Sequence, residues 1–203
     1  MIVFLATVFV QGTLAPSVAD FFPSAVGTTW TYEESTDLKS AYRDIVVEPV
    51  SFEGVPTITI VTKTNTKVGE QIVGMTHYRI NGDTIFAVAF ERNLVLADPH
   101  PILKISSGTT SWEYKGVTPL SNVLLPMEFK ATSTWMPKRD IFGEKRDCIE
   151  VDMTAIIKEA GGVVTTNVHQ ISTYAKGIGM VEMSENTSYN RTKSSRRVKL
   201  IKF

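Results

Sequence analysis

RDCIEVDMTAIIK (146–158), EAGG (159–162) and VVTTNVHQISTYA (163–175) form the most informative stretch of the chain. In both long runs apolar and polar residues alternate with period two, and β-branched residues recur among them, as in strands with one buried face. Glu159-Ala160-Gly161-Gly162 between them has the composition of a tight reversal, so the stretch reads as a β-hairpin. The same alternation extends outward over Thr28 to Glu34, Tyr42 to Phe52, Pro56 to Asn65, Gly69 to Ile80, Thr84 to Arg92, Ile102 to Ser106, Thr110 to Tyr114, Met127 to Trp135, Met180 to Asn186 and Arg196 to Phe203. Asn81-Gly82-Asp83 marks a second hairpin. No segment after residue 20 has the three-to-four spacing of a solid helix, and Asp37 to Ala41 and Pro119 to Leu125 are read as short helical turns at most.

The expected fold is therefore all-β and mainly antiparallel. Strand twist accumulates and open edges invite pairing, so this many strands predict a strongly curved sheet: a half-barrel, barrel or sandwich. A ligand cavity, where there is one, belongs on the concave apolar face.

Composition narrows the function classes. The chain has 203 residues, 21 basic and 21 acidic side chains and one cysteine. Zero net charge argues against nucleic-acid binding. A lone cysteine makes no internal disulfide and no CxxC pair, and Cys148, inside a β-run, reads as a small buried hydrophobe. Residues 1 to 19 carry no charge, Ile2 to Val10 is an apolar run, and Ser17-Val18-Ala19 offers small residues for a signal peptidase. The expectation is a signal peptide over 1–19, cleaved before Asp20, and a single β-rich domain over 20–203. That domain is exported to the periplasm or the outside of the cell, with no transmembrane span after the signal segment.

Three tryptophans share a local context: Gly27-Thr28-Thr29-Trp30, Gly108-Thr109-Thr110-Ser111-Trp112 and Thr132-Ser133-Thr134-Trp135. Small hydroxyl residues before a large ring suit a sharp strand entry that sets the ring on an inner face, with Tyr32 and Tyr114 two residues on and on the same side. Trp30, Tyr32, Trp112, Tyr114 and Trp135, with Phe86 and Phe90, are the candidate ligand-binding residues. Their expected ligand is an apolar or amphipathic, lipid-like small molecule. The competing reading fills a solid core with the same rings and leaves an envelope protein that binds a partner through an exposed face or edge strand.

Catalytic patterns are missing. Among His77, His100 and His169 none lies in a recognisable nucleophile or metal motif, so no catalytic residue, metal or cofactor is assigned. Asp98-Pro99-His100-Pro101 reads as a rigid surface turn, and Glu150 with Asp152 as a solvated face. Arg196, Arg197 and Lys199 belong to a basic C-terminal run. It is expected either to meet an anionic surface or to guard an edge strand against aggregation.

Phe21-Phe22-Pro23 through Gly27, Trp30 and Tyr32 resembles the YFPLxxGxxWxY opening of a broad group of exported bacterial proteins, and Tyr174-Ala175-Lys176-Gly177-Ile178-Gly179-Met180-Val181 resembles their YAxGVGxV block. Some of these proteins are similar to the DUF3108 family. The resemblance implies an architecture like that of the lipid carriers LolA and LolB, an unclosed barrel around an apolar cavity. Gly177 and Gly179, two apart, are expected to bend the sheet.

Overall fold

The computed structural model describes residues 16–36, 40–48, 51–52, 55–66, 69–91, 94–120, 123–159, 161 and 164–203. The signal-peptide expectation over residues 1–15 lies outside them. A one-turn 3-10 helix, Val18–Phe21, precedes β1 (Thr29–Thr36), β2 (Ser40–Glu48), β3 (Ser51–Phe52), β4 (Val55–Pro56), β5 (Ile58–Thr66), β6 (Gly69–Asn81) and β7 (Thr84–Phe90). Then come β8 (Leu94–Lys104), β9 (Thr110–Leu120), β10 (Val123–Ile141), β11 (Glu144–Glu159), β12 (Val164–Ala175), β13 (Gly179–Tyr189) and β14 (Thr192–Lys202).

Twelve strands form one antiparallel sheet in the order β8-β7-β6-β5-β2-β1-β14-β13-β12-β11-β10-β9, and β3 pairs with β4 apart from it. Both hairpins read from the sequence are present. Asn81 faces Thr84 across Gly82-Asp83, and Glu159 faces Val164 at the end of a register that starts at Cys148 and Ala175. Within the large sheet only two junctions depart from simple succession: β2 skips to β5, and the first strand lies beside the last. β14 is consequently an interior strand, which corrects the edge-strand reading of the basic run.

Two further expectations are corrected, and a third lies mostly outside the described residues. Pro119 to Leu125 is no helical turn, because Leu120 pairs with Val123 and Pro119 with Leu124. Of Asp37 to Ala41, residues 37–39 lie outside the described residues and Ser40 and Ala41 open β2. Asp98-Pro99-His100-Pro101 is part of β8, not a surface turn, and His100 is 4% exposed. Proline signals a turn only where a ladder bond is needed from its nitrogen. β8 is an edge strand, and there proline is tolerated.

The inner face follows from the register, since directly opposed residues share a side. Tyr114, Phe129, Ala155 and Val168 lie in one row, and Trp135, Ile149, Tyr174 and Met180 in another. One end of this interior is plugged by the segment before β1. Ser17 caps the turn, its Oγ accepting from the Ala19 N–H and its own N–H donating to the Asp20 carboxylate. Val18 and Phe21 are buried, the Phe21 ring stands edge-on to Trp135 at 5.6 Å, and Phe22 packs on Tyr78 at 4.8 Å.

Val18 thus belongs to the packed interior, two residues upstream of the expected cleavage point. A chain beginning at Asp20 lacks that side chain and the Ser17 cap, and should be about 2 kcal/mol less stable than one beginning at Pro16. Urea unfolding of the two purified forms measures the difference.

Candidate functional site

The two motif blocks dock on each other. Gly177 donates its N–H to the Asp20 carbonyl at 2.6 Å, the Trp30 indole donates to the Ile178 carbonyl at 2.6 Å, and the Tyr32 hydroxyl donates to the Met180 carbonyl at 2.7 Å. Gly177 and Gly179 both have positive φ, and a side chain on Gly179 would press on the Pro23 ring. The glycines therefore serve a turn and a close approach to the plug.

Behind this junction lies a half-open cavity of about 140 Å³. Trp30 and Tyr32 of β1 line it together with Phe22, Ile60, Tyr78, Ile102, Tyr174 and Met180, and Thr62 and Thr76 add hydroxyls. Burial pushes the Tyr32, Tyr78 and Tyr174 phenols up from their ordinary value of 10.0, so all three stay protonated. Neighbouring phenols push Tyr32 and Tyr174 in the same direction.

Trp112, Tyr114 and Trp135 stand elsewhere, where the two edges of the sheet meet. No backbone ladder joins β8 to β9. Side chains bridge the gap instead. Trp112 donates to the Pro101 carbonyl (3.1 Å), Tyr114 to that of Asp98 (2.9 Å), Ser133 to that of Lys104 and Trp135 to that of Ser106 (2.7 Å). In an antiparallel strand the N–H and C=O of one residue face the same edge. The Pro101 carbonyl faces the seam, and its nitrogen on that side carries no hydrogen. An indole reaching across satisfies what a ladder would have used.

His100 fills the middle of the seam. Its Nε2 bonds the Val117 carbonyl, its ring lies edge-on to Tyr114 at 4.5 Å, and Phe90 and Phe129 complete the surround. Burial holds its pKa below the ordinary 6.5. Tyr114 folds over Gly116, where any Cβ would overlap the phenol. The remaining candidate, Phe86, is partly buried on β7 opposite Pro101.

The other sequence candidates separate as well. Arg196 contacts the buried Glu34 carboxylate at 2.7 Å, so it is not part of an exposed basic strip. Arg197 and Lys199 are exposed, yet Lys199 lies in register between Glu33 and Glu182, which offsets its charge. Cys148 is buried and its thiol is pushed up by burial, so it holds its proton. His77 is buried against Thr59, while His169 meets Asp152 at 2.9 Å on the outside. Trp135 also borders a solvent-open recess of about 650 Å³ beside Pro16, Val18 and Ile105. Sequence reading had not singled out Phe22, Tyr78 or Tyr174 as cavity residues. Phe22 and Tyr174 do lie inside the two quoted blocks, which is the one signal that could have found them.

No family model and no curated protein matches the chain. Solved structures with a similar chain path include a candidate lipoprotein from Parabacteroides distasonis ATCC 8503, 12% identical, covering 89% of this chain and 96% of that one with a TM-score of 0.48. Another is the hypothetical lipoprotein YmcC from Escherichia coli (K12), 6% identical, covering 88% of each chain with a TM-score of 0.38. Neither assigns a role to any residue here.

Two expectations follow for the seam. Gly116→Ala must displace Tyr114 and should cost about 2 kcal/mol, against about 1 kcal/mol for Tyr114→Phe, which removes the hydroxyl alone; urea unfolding compares them. The lowered His100 pKa means that the unfolded chain binds more protons than the native one once the pH drops below 6.5. The stability this group contributes is complete above that value and lost toward acid. Thermal melts from about pH 7.5 to about pH 5 should show a decline that is smaller in His100→Phe.

Proposed function

We propose that this protein is a non-catalytic, exported binding protein that holds a compact apolar group, or the apolar end of an amphipathic molecule, inside its curved sheet. The observation that carries the reading is the half-open, largely apolar cavity at the junction of the two motif blocks. A space of about 150 Å³ is enough to hold a benzene-sized group. Drug-sized ligands need roughly 300 Å³ or more, so the group held here is a ring or a short acyl end, not a whole lipid. Trp30 and Tyr32 are the contact residues from the sequence-derived set, joined by Phe22, Ile60, Tyr78, Tyr174 and Met180. Trp112, Tyr114 and Trp135 act by keeping the sheet curled around the cavity. The uncharged apolar run Ile2 to Val10 supports export.

Toluene is the simplest probe. At about ten times its dissociation constant it should stabilise the fold by about 1.4 kcal/mol and raise the melting temperature by roughly 3–6 °C. Ile60→Trp, which fills the space, should abolish the shift while remaining folded. A wild-type protein that neither shifts nor retains toluene in native mass spectrometry would overturn the reading.

A further inference from the structure

The cavity wall is not uniformly apolar. Tyr32, Tyr78 and Tyr174 converge on it from β1, β6 and β12, and their hydroxyls are differently engaged. That of Tyr32 is committed to the Met180 carbonyl. Thr76, two residues before Tyr78 on β6, lines the same cavity and sets a hydroxyl on the Tyr78 side of the wall. Tyr174 is 7% exposed as a residue, and among the described residues no hydrogen bond reaches its hydroxyl, which is not one of the fully buried atoms and so faces the open space of the cavity. A hydroxyl that faces open space in place of a protein acceptor is a position where a ligand atom completes the bond.

The chemistry of that atom is constrained by the rest of the wall. Among the described residues no charged side chain lines the cavity. An ionised carboxylate or ammonium would lose its hydration there with no opposite charge to replace it. Phenols held in the protonated form are donors, so their natural complement is a neutral acceptor. The open volume takes a ring or short chain with such an oxygen attached. We propose that Tyr174 is the hydrogen-bond donor of the cavity and that its ligand carries a neutral acceptor oxygen of the ketone, ester or ether class at the end that meets it. This rests on the binding reading above and extends it from apolar shape to a specific polar contact.

Toluene and cyclohexanone, similar in size, separate the two levels. Both are titrated by calorimetry into the wild type and into Tyr174→Phe, whose native fold is first checked by its melting transition. The wild type should bind cyclohexanone, and Tyr174→Phe, which keeps the ring and removes only the hydroxyl, should weaken cyclohexanone about tenfold more than it changes toluene. The carbonyl stretching band of bound cyclohexanone should fall in frequency in the wild type and not in the variant. Equal effects on both probes, or an unshifted carbonyl band in the wild type, would overturn the donor role and leave the cavity reading standing. Failure of the wild type to bind either probe would overturn both. If Tyr174→Phe does not fold, the infrared band of the wild type alone decides the matter.

Discussion

Two carbonyl groups, one in a short turn and one at the start of the strand that follows it, organise this molecule. Ile178 and Met180 receive the Trp30 indole and the Tyr32 hydroxyl, and the residues that make these bonds are 148 positions apart. The bonds join the first strand to the turn between β12 and β13 and to the start of β13, and the same turn receives the plug through Gly177 and Asp20. Glycine at 179 lets the Pro23 ring lie against the backbone. Remove that approach and Phe21 and Phe22 lose their seat, the open end of the sheet loses its stopper, and the cavity loses one wall.

The opposite side of the sheet is held by another means. β8 carries Pro99 and Pro101 along an edge, so it cannot complete a ladder with β9. Indoles, a phenol, an imidazole and a serine hydroxyl serve as cross-links in place of backbone pairs. Such a seam satisfies carbonyl groups while covering an edge that would otherwise recruit another chain. It also explains the recurrence of tryptophan after small hydroxyl residues: each of the three indoles donates to a main-chain carbonyl of a different segment.

The fold class was legible because period-two alternation is a local property, and the Asn81 and Glu159 hairpins need only neighbouring residues. β8 was not, because Asp98-Pro99-His100-Pro101 has the composition of a turn and only its place at an edge makes it a strand. The cavity was half legible. Trp30 and Tyr32 stood out by type and spacing, whereas Tyr78 and Tyr174 join them only through curvature that brings β6 and β12 over β1. Arg196 misled for the same reason: its basic neighbours suggested a surface, and its carboxylate partner Glu34 lies at the other end of the chain.

Placing the first strand beside the last has a temporal meaning. Thr36 pairs with Arg196 and Tyr32 with Leu200, so β1 has no neighbour on that side until nearly the whole chain exists. Contacts of such long sequence separation form late and slowly. The hairpins from β9 to β13 can assemble as a local meander, but the plug, the cavity and the curled sheet wait for the final strand. A polypeptide organised in this way lacks its closing strand, and with it the walls of the cavity, until its C-terminus is released.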